Sequence, residues 1–253
     1  MKIIADLHTH NGEVCGHANS TVAGLLARAA ALGHCAMALT DHGPTCDNTP
    51  YSYYTDNLLR PKEVDGVRFL AGTEADIRDY TGRFDRPQTD LLRLDWMIAS
   101  FHEYACPVGT VEQHTAGYEA VLRNPAVDCL GHIGRMWHPC DYARVVRAVG
   151  EAGRTLEINN HTFEIAHGVS EACEQVIRLC KQYRVPVVVT SDAHGDGWLG
   201  RFDFSLAALK KYDFPEELVL NADRDRLFAF LARRRREKDA ALSALGADPR
   251  EGK

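Results

Sequence analysis

Two histidines separated by one residue follow the first apolar segment of the chain, and they constrain its fold more than any other feature. Residues 3–5 are apolar and run directly into Asp6-Leu-His-Thr-His10. In an extended strand, residues i and i+2 point to the same side, so His8 and His10 direct two ring nitrogens toward one point. A metal ion requires such convergence, although two histidines on a strand can also be hydrogen-bonded surface groups. The recurrence of the pattern along the chain favours the metal site.

Short apolar segments alternate with helical periodicity along the whole chain. We predict seven strands, at residues 3–5, 35–39, 67–71, 96–99, 127–130, 155–158 and 185–190, and helices at 22–32, 111–122, 170–183, 205–211 and 223–245. Such alternation indicates parallel βαβ packing. Each predicted strand is followed by His, Asp, Glu or Asn, and in a βα barrel the C-terminal strand ends form one catalytic rim. Because seven strands are predicted instead of eight, we expect a distorted TIM-like (β/α)7 barrel of the α/β class, formed by residues 1–253 as one domain.

Charge and cysteine content narrow the class of protein. The net charge of -6 argues against binding nucleic acid by counterion release, although bound cations would offset part of it. No apolar run approaches membrane-spanning length, and the segment before His8 is too short for a signal-peptide core. Eight cysteines without a Cys-x-x-Cys motif indicate reduced thiols. We expect a cytoplasmic enzyme with neither a membrane nor a nucleic acid as partner; its oligomeric state stays open.

Nine side chains of types that commonly bind metals follow the predicted strands or lie in the loops next to them. They are His8, His10, His17, His42, Glu74, His102, His132, Asp192 and His194. One tetrahedral ion takes four ligands, so nine imply two or three ions. Imidazoles and carboxylates without a thiolate suit Zn, Mn or Fe better than Mg or Ca. Such a cluster clamps a phosphoryl group and activates a bridging water.

Several of these residues lie in longer motifs that occur in a characteristic order over nearly the whole chain. The motifs are Asp6-Leu-His-Thr-His10, His17, Thr40-Asp-His-Gly43, Gly72-Thr-Glu74, His102, Gly131-His132, Leu156-Glu-Ile-Asn-Asn160 and Thr190-Ser-Asp-Ala-His194. In these motifs the chain resembles the PHP (polymerase and histidinol phosphatase) family, and in particular its stand-alone bacterial phosphatases. The resemblance implies a distorted seven-stranded barrel with a trinuclear metal centre. It also implies hydrolysis of a small phosphomonoester by a metal-activated water, without a covalent nucleophile.

The resemblance further implies how the ligands are shared among the ions. The first ion would be held by His8, His10, Glu74 and Asp192. Glu74 would bridge to a second ion, which His102 and His132 hold, and the third would be held by His17, His42 and His194. We expect Glu74, Asp192 and Arg135 to take part in catalysis.

The chain departs from its relatives around the expected substrate pocket. It has His132-Ile-Gly-Arg135 where that branch usually has His-Pro-Gly, and the loop before His17 is slightly longer. An arginine beside a metal suits a bidentate contact to phosphate, although Arg135 could instead pair with an acidic neighbour. His138 and His161 are further candidates for contact with the substrate, or they are merely polar.

Two other residues have alternative interpretations. Asp41 could orient an imidazole as a supporting carboxylate, or cap the following segment. Cys15 could be an adventitious thiolate ligand, but an ordinary loop cysteine is the better supported interpretation. For His34, His114 and His167, we expect structural or surface roles.

Three functions are compatible with these features. We favour a metal-dependent phosphomonoesterase, for which histidinol phosphate is one candidate substrate that the metal-binding residues do not select. A phosphodiesterase or nuclease is the alternative, as PHP modules attached to DNA polymerases suggest. A non-catalytic metal-binding or polymerase-associated module should lack several ligands, and none is missing. The four arginines at 233–236 are interpreted as a solvated helix face and not as a nucleic-acid site.

Overall fold

Seven parallel strands form a nearly closed barrel in the computed structural model, which describes residues 1–47, 56–135, 137–168 and 170–248. With one short antiparallel strand, the sheet has eight strands in the described residues: β1 (Ala5–Asp6), β2 (Ala36–Leu39), β3 (Glu63–Val64), β4 (Val67–Asp76), β5 (Trp96–Ser100), β6 (Cys129–Leu130), β7 (Thr155–Asn159) and β8 (Val187–Thr190). The parallel order is β1-β2-β4-β5-β6-β7-β8, and β3 pairs antiparallel with β4. The predicted α/β, TIM-like barrel of seven strands is therefore confirmed.

The helices follow the strands around the barrel. They are α1 (Val22–Ala31), α2 (Pro44–Asp47), α3 (Gln88–Arg93), α4 (Val111–Leu122), α5 (Tyr142–Glu151), α6 (Asn160–Ile165), α7 (Glu171–Tyr183), α8 (Asp203–Lys211) and α9 (Arg224–Ala244). All five predicted helices are present, with ends that differ by two residues at most. The side chains of Thr21, Thr110 and Ser170 accept hydrogen bonds from first-turn amides, which a helix start otherwise leaves without partners. Within the described ranges, no helix is both long and apolar enough to cross a membrane.

Helix α5 was not predicted. Its buried face consists of three valines, at positions 145, 146 and 149, and β-branched residues favour strands by intrinsic propensity. Asp141 caps its first turn by accepting a hydrogen bond from the amide of Arg144 at 3.0 Å. Burial of the valine face therefore outweighs the local preference of its residues.

Strand β4 extends farther than predicted and joins two parts of the sheet. Its residues 68–71 pair with β2, and residues 72–76 pair with β5. Gly72 lies at the change of partner, where a Cβ atom would be 2.7 Å from the carbonyl oxygen of Trp96. Only glycine permits such a close approach. As a consequence, Glu74 lies inside a strand that is hydrogen-bonded on both sides, and not in a loop.

Side chains help to close the barrel between β1 and β8. The segments after the two strands form a bridge between Thr9 and Ala193, and Asp6 of β1 accepts hydrogen bonds from the amide (3.1 Å) and the hydroxyl (2.5 Å) of Ser191. Next to this bridge, the fully buried Asn221 donates from Nδ2 to the carbonyl oxygens of Ala5 (2.8 Å) and Val189 (2.6 Å), and its Oδ1 accepts from the Val189 amide at 3.0 Å. The Asn221 amide thus replaces the backbone hydrogen bonds that a longer ladder would provide.

Alternate residues of the strands fill the barrel below the rim. Leu70 and Glu74 lie on the same face of β4 because strand side chains alternate. Leu70 belongs to an apolar cluster with Trp96, whose ring is 6.2 Å from that of Phe230 in α9. The barrel interior is therefore apolar where α9 covers it and polar at the C-terminal ends of the strands.

The arginines of α9 bind the barrel and do not form the solvated face that we expected. Arg234 is fully buried, and its Nε donates to Asp128 Oδ1 at 2.9 Å. Lys238 Nζ donates to the other carboxylate oxygen at 2.5 Å. Arg235 donates to the backbone carbonyls of residues 92–94. The prediction was wrong for Arg234 and Arg235 because long side chains can bury their stems and still reach unpaired carbonyls.

Candidate metal centre

The structure brings all nine predicted metal ligands together at the C-terminal ends of the parallel strands. They surround a pocket of about 400 Å³, and seven of the nine line its wall. The other two, His8 and His10, are fully buried beneath it. The strand-end pattern of the sequence thus corresponds to one cluster in space.

The first group consists of two imidazoles and two carboxylates. His8 Nε2 lies 3.0 Å from His10 Nε2, 3.1 Å from Glu74 Oε2 and 3.4 Å from Asp192 Oδ1. His10 Nε2 lies 3.3 Å from the same Asp192 oxygen and 3.5 Å from the same Glu74 oxygen. Four donor atoms therefore converge within the spacing of ligands around one small ion.

The second group forms on the other oxygen of Glu74. Its Oε1 is 2.7 Å from His132 Nε2 and 3.3 Å from His102 Nε2, and the two imidazole nitrogens are 3.2 Å apart. The two oxygens of Glu74 thus face different histidines. This is the arrangement of a carboxylate that could bridge two metal ions.

The third group is formed by His17, His42 and His194. The ring of His17 lies 4.7 Å from that of His194 and 5.6 Å from that of His42. His42 also approaches Glu74, with 3.3 Å between its Nδ1 and Oε2. His42 therefore stands between the third group and Glu74, and could serve ions on either side.

Burial and the surrounding charges set the protonation of the cluster. Burial favours the neutral form of Glu74, but the charges of His8 and His102 outweigh it and hold the pKa of Glu74 well below its ordinary value. The pKa of Asp192 is held well below its ordinary value in the same way, with His8 as the main opposing charge to burial. Burial lowers the pKa of His194 to about 4. Burial opposes protonation of His8 and His102, but Asp192 raises the pKa of His8 and Glu74 raises that of His102 to about 9. A metal ion that binds these two imidazoles would displace their protons.

Carboxylates that the sequence analysis did not single out orient the histidines. His8 Nδ1 donates to Glu157 Oε1 at 2.5 Å, and His102 Nδ1 donates to Asp76 Oδ1 at 2.7 Å. Each bond fixes the tautomer that leaves Nε2 facing the cluster. Both carboxylates had a signal in the sequence: Asp76 is two residues after Glu74, and Glu157 interrupts an apolar strand.

Glu157 also supports a second ligand. Its Oε2 accepts a hydrogen bond from the backbone amide of His132 at 2.6 Å. His132 has φ +26° and Asp192 has φ +55°, values that residues other than glycine seldom adopt. Asp192 is held by Asn159, whose Nδ2 donates to Asp192 Oδ2 at 3.2 Å. The surrounding hydrogen bonds thus maintain a strained backbone at two of the nine residues.

Asp41 positions the loop that follows the first two histidines. Its Oδ1 accepts from the backbone amide of Asn11 at 2.9 Å, and its Oδ2 accepts from the Asn11 side chain at 2.5 Å. The distance from Asp41 Oδ1 to His10 Nδ1 is 3.9 Å, too long for a hydrogen bond. Asp41 therefore holds the loop at Asn11, a role that differs from both alternatives, which were a bond to an imidazole and a cap on the segment after Asp41.

The three candidate substrate residues line the pocket, but in different environments. His138 is buried, stacks on Phe101 with 5.0 Å between ring centres, and donates from Nε2 to the Cys106 carbonyl at 3.3 Å. Burial lowers the pKa of His138 to about 4. These contacts make His138 a neutral part of the wall.

Arg135 and His161 are only partly buried. The His161 ring lies 6.0 Å from that of His194 and 6.2 Å from that of Trp198. Burial lowers the pKa of His132, and the positive charge of Arg135 lowers it further. Arg135 and His161 are therefore close enough to the cluster to contact a ligand in the pocket.

Aromatic side chains form the mouth of the pocket. Trp137 is 50% exposed, Tyr104 50% and Trp198 43%. The Tyr104 hydroxyl donates to Asp76 Oδ1 at 3.1 Å, and its ring stacks on His102 at 5.1 Å. Such an entrance combines apolar surface with a strongly polar floor.

The remaining histidines lie outside the cluster. His114 is fully buried and satisfied, since Nδ1 donates to the Pro139 carbonyl and Nε2 accepts from the Gly109 amide, both at 2.8 Å. His34 packs 6.0 Å from Phe202, and His167 is exposed. Their positions agree with the structural and surface roles expected for them.

The residues of the cluster fit the metals that the sequence suggests. Two buried atoms, His10 Nδ1 and Asp192 Oδ1, have no hydrogen-bond partner among the residues that the structure describes. Imidazole nitrogens also face each other at 3.0 and 3.2 Å, and two neutral rings gain little from such contacts unless a cation lies between the nitrogens. A donor set of nitrogen and carboxylate oxygen suits Zn, Mn or Fe.

Comparison with known proteins gives a consistent result. A family profile described as the PHP domain matches residues 6–168. A protein of Acetivibrio thermocellus named "Probable phosphatase" is 41% identical over 236 residues, which cover 93% of this chain and 98% of that protein. A Clostridium botulinum protein named "Probable phosphatase" is 36% identical over 243 residues, covering 96% of this chain and 100% of the relative.

The fold also resembles a solved structure. Histidinol phosphate phosphatase from Lactococcus lactis, complexed with zinc, L-histidinol and phosphate, matches with a TM-score of 0.60 and 16% identity. The match covers 85% of this chain and 95% of that chain. At this identity, the similarity concerns the fold alone.

Proposed function

The chain belongs to the PHP domain family, and on this premise we propose that it is a metal-dependent phosphatase that hydrolyses small phosphomonoesters. Residues 1–253 would form one catalytic domain with two to three ions of Zn, Mn or Fe. The observation that carries the proposal is the position of Glu74, whose two oxygens face different imidazoles at 2.7 to 3.5 Å.

The residues of this chain would perform distinct tasks. His8, His10, Glu74 and Asp192 would hold one ion; Glu74 with His102 and His132 a second; and His17, His42 and His194 a third. When bound, the ions supply positive charge for the phosphate oxygens and activate the attacking water. Glu157 and Asp76 keep the imidazoles of His8 and His102 in register before substrate arrives.

The pocket supports the choice of a small monoester. Its volume of about 400 Å³ lies in the range of small-molecule sites. The guanidinium of Arg135 would bind non-bridging phosphate oxygens, because its planar donors match their spacing. Trp137 and Trp198 at the mouth would contact the alcohol part of the ester, which favours substrates with an apolar or planar group.

The alternative functions, a phosphodiesterase and a phosphatase specific for histidinol phosphate, require different substrates. A phosphodiesterase would need room for a second ester group, and the net charge of -6 disfavours a nucleic-acid strand. Histidinol phosphate falls within the proposed class of monoesters. The Lactococcus lactis protein has histidinol and phosphate in its structure, which makes this ester a compound to include in any panel.

Metal content and turnover test the proposal together. We expect two to three ions per chain by elemental analysis, and hydrolysis of p-nitrophenyl phosphate that is lost on chelation and restored by Zn or Mn. Bis(p-nitrophenyl) phosphate should be a poor substrate. If the diester is hydrolysed faster than the monoester, the phosphodiesterase alternative replaces the proposal.

Replacement of Glu74 is the sharpest test of the shared ligand. The Glu74→Ala variant should lose at least one ion per chain and more than about a hundredfold of the activity, since the loss of a ligand should cost at least as much as the loss of a supporting residue. Elemental analysis and kcat/KM measure the two effects. Glu103→Ala, at an exposed carboxylate of the same pocket, should keep its metal. Full metal content and activity in Glu74→Ala would contradict the bridging role.

A further inference from the structure

A cysteine that the proposed metal sites do not use lies against the third group of histidines. Cys15 is fully buried in the loop between β1 and α1. The backbone fixes its position, since its amide donates to the Asn11 carbonyl and its carbonyl accepts from the Ala18 amide, both at 3.1 Å. The side chain of Cys15 thus lies on the inner side of the loop, beneath the exposed ring of His17.

The sulfur is close to three imidazoles. Cys15 Sγ lies 3.2 Å from Nε2 and 3.3 Å from Nδ1 of His17. It also forms a compact set with one nitrogen each of His10 and His194, all within 4.8 Å of one another. In a tetrahedral zinc site with Zn–S near 2.3 Å and Zn–N near 2.1 Å, sulfur and nitrogen are about 3.6 Å apart. The spacing around Cys15 is therefore close to that of ligands to one ion.

A second observation points to a cation at this position. Asp192 Oδ1 is buried and has no hydrogen-bond partner among the described residues. It lies 3.3 Å from His10 Nε2 and 3.7 Å from His194 Nδ1, so it is aimed at two members of the set that contains Cys15. The same oxygen lies 3.4 Å from His8 Nε2, and a cation among these imidazoles would give it a partner.

We propose that the Cys15 thiolate is a ligand of the third metal ion, together with His17 and His194. The inference rests on the proposed metal-dependent function and adds a sulfur donor that the assignment of His17, His42 and His194 does not include. On binding, the thiol transfers its proton to solvent and the sulfur lone pair forms the bond to the metal. A thiolate selects Zn over Mn or Mg, so the third position is a zinc site even where the other two accept other ions.

Cobalt substitution tests the proposal because a cobalt–thiolate bond has its own absorption. Metal-free enzyme titrated with Co²⁺ should develop visible ligand-field bands and, in addition, a sulfur-to-cobalt charge-transfer band in the near ultraviolet. In Cys15→Ser the charge-transfer band should vanish, while ligand-field bands of the other ions remain. Zinc titration of Cys15→Ser should show one ion that binds at least about tenfold more weakly than in the wild type.

Two control variants separate Cys15 from the other thiols. Cys46→Ser removes a second thiol that lines the pocket, and Cys35→Ser removes a half-buried thiol away from the cluster. Both should retain the charge-transfer band. If the band persists in Cys15→Ser, or is absent from the wild type with cobalt bound, Cys15 is no ligand. If no cobalt binds to the folded wild type, the metal-dependent function itself fails.

A measurement on the wild type covers the case in which Cys15→Ser does not fold. Zinc K-edge absorption of the fully loaded enzyme should contain a sulfur shell near 2.3 Å in addition to the nitrogen and oxygen shell. Only nitrogen and oxygen neighbours around zinc would overturn the proposal. Circular dichroism of the metal-free variant establishes whether its fold is retained.

Discussion

Hydrogen bonds to carboxylates position individual histidines of the proposed metal centre. His8 and His102 each have one ring nitrogen bound to a buried carboxylate and the other directed at the cluster. The carboxylate stabilises the tautomer with hydrogen on Nδ1 and makes the imidazole a stronger base toward a metal. The properties of the centre thus depend on residues that would not touch an ion.

Replacement of Asp76 isolates this effect. We expect Asp76→Asn to lower metal affinity or activity by about 10- to 100-fold, because the acceptor of the His102 Nδ1 proton loses its negative charge. Competition with a chromogenic chelator measures the affinity. Asp79→Asn serves as the matched control, since Asp79 follows in the same region but bonds to Thr81 and Arg83. Equal affinities of wild type and Asp76→Asn would show that His102 needs no carboxylate.

His34 provides a test of pH dependence away from the metal centre. Burial lowers its pKa to about 4, and the charges of Lys2 and Arg28 contribute in the same direction. Between about pH 6.5 and pH 4 the unfolded chain binds this proton and the folded chain does not. The free energy of unfolding is therefore not reduced by His34 above pH 6.5. As the pH falls from 6.5 to 4, protonation of His34 in the unfolded chain lowers it by up to about 3 kcal/mol.

The measurement compares urea unfolding of metal-free wild type and His34→Gln at pH 7 and at pH 4.5. The variant should lose less free energy of unfolding between the two conditions. The exposed His167, replaced by Gln, should behave like the wild type. An identical loss in His34→Gln would mean that His34 titrates normally in the folded state.

At the level of structural elements, the ends of the sheet are joined by side chains. Asn221 connects β1 to β8, and Asp128 connects β6 to Arg234 and Lys238 of α9. Buried ion pairs contribute little net stability, but the loss of one partner leaves an uncompensated charge. These contacts fix the short strands β1 and β6, which have only two residues each, and thereby the ligands that follow them.

Asn221→Ala tests the closure of the barrel. The variant leaves two backbone carbonyls and one amide without partners, each of which costs about 1–3 kcal/mol when buried. We expect the free energy of unfolding to fall by at least about 2 kcal/mol, as measured by urea denaturation. Glu217 lies in the short 3-10 helix Glu216–Leu218 and is an exposed ion-pair partner of Arg184. Glu217→Ala should leave the free energy of unfolding unchanged. Wild-type stability of Asn221→Ala would show that the bridge at Thr9 suffices to close the barrel.

At the level of the whole molecule, the proposed ligands lie within or after six of the seven parallel strands. Ions bound to them would connect β1 with β8 across the incomplete edge of the sheet, and β4 with β5 and β6. A ligand that binds only the folded state stabilises it by mass action. The metal centre should therefore stabilise the barrel as well as catalyse the reaction.

Removal of the metals measures that contribution. Each ion present at about a thousandfold above its dissociation constant contributes about 4 kcal/mol, so the chelated enzyme should unfold at a clearly lower temperature than the loaded enzyme. Calorimetry with and without zinc gives the difference. Glu74→Ala should show a smaller shift, because it binds fewer ions. The same unfolding temperature with and without metal would indicate that the cluster binds none.

The barrel and the cluster could be predicted from the amino-acid sequence, because both depend on local patterns. Apolar segments followed by His, Glu or Asp predict parallel strands whose ends meet at one rim, and the nine residues found there are those that were predicted. The motifs that the chain shares with the PHP family are also local, and they predicted that the chain belongs to this family. Their roles as ligands stay predictions that the metal analysis tests.

The distant residues that support the cluster could be identified only from the folded chain. His8 and Glu157 are 149 positions apart, and no local pattern indicates that they meet, since sheet order and register set that contact. The same holds for Asn221 at the barrel seam and for Arg234, whose burial depends on the carbonyls that α9 reaches. Cys15 looked like an ordinary loop cysteine until the fold placed His10, His17 and His194 around it.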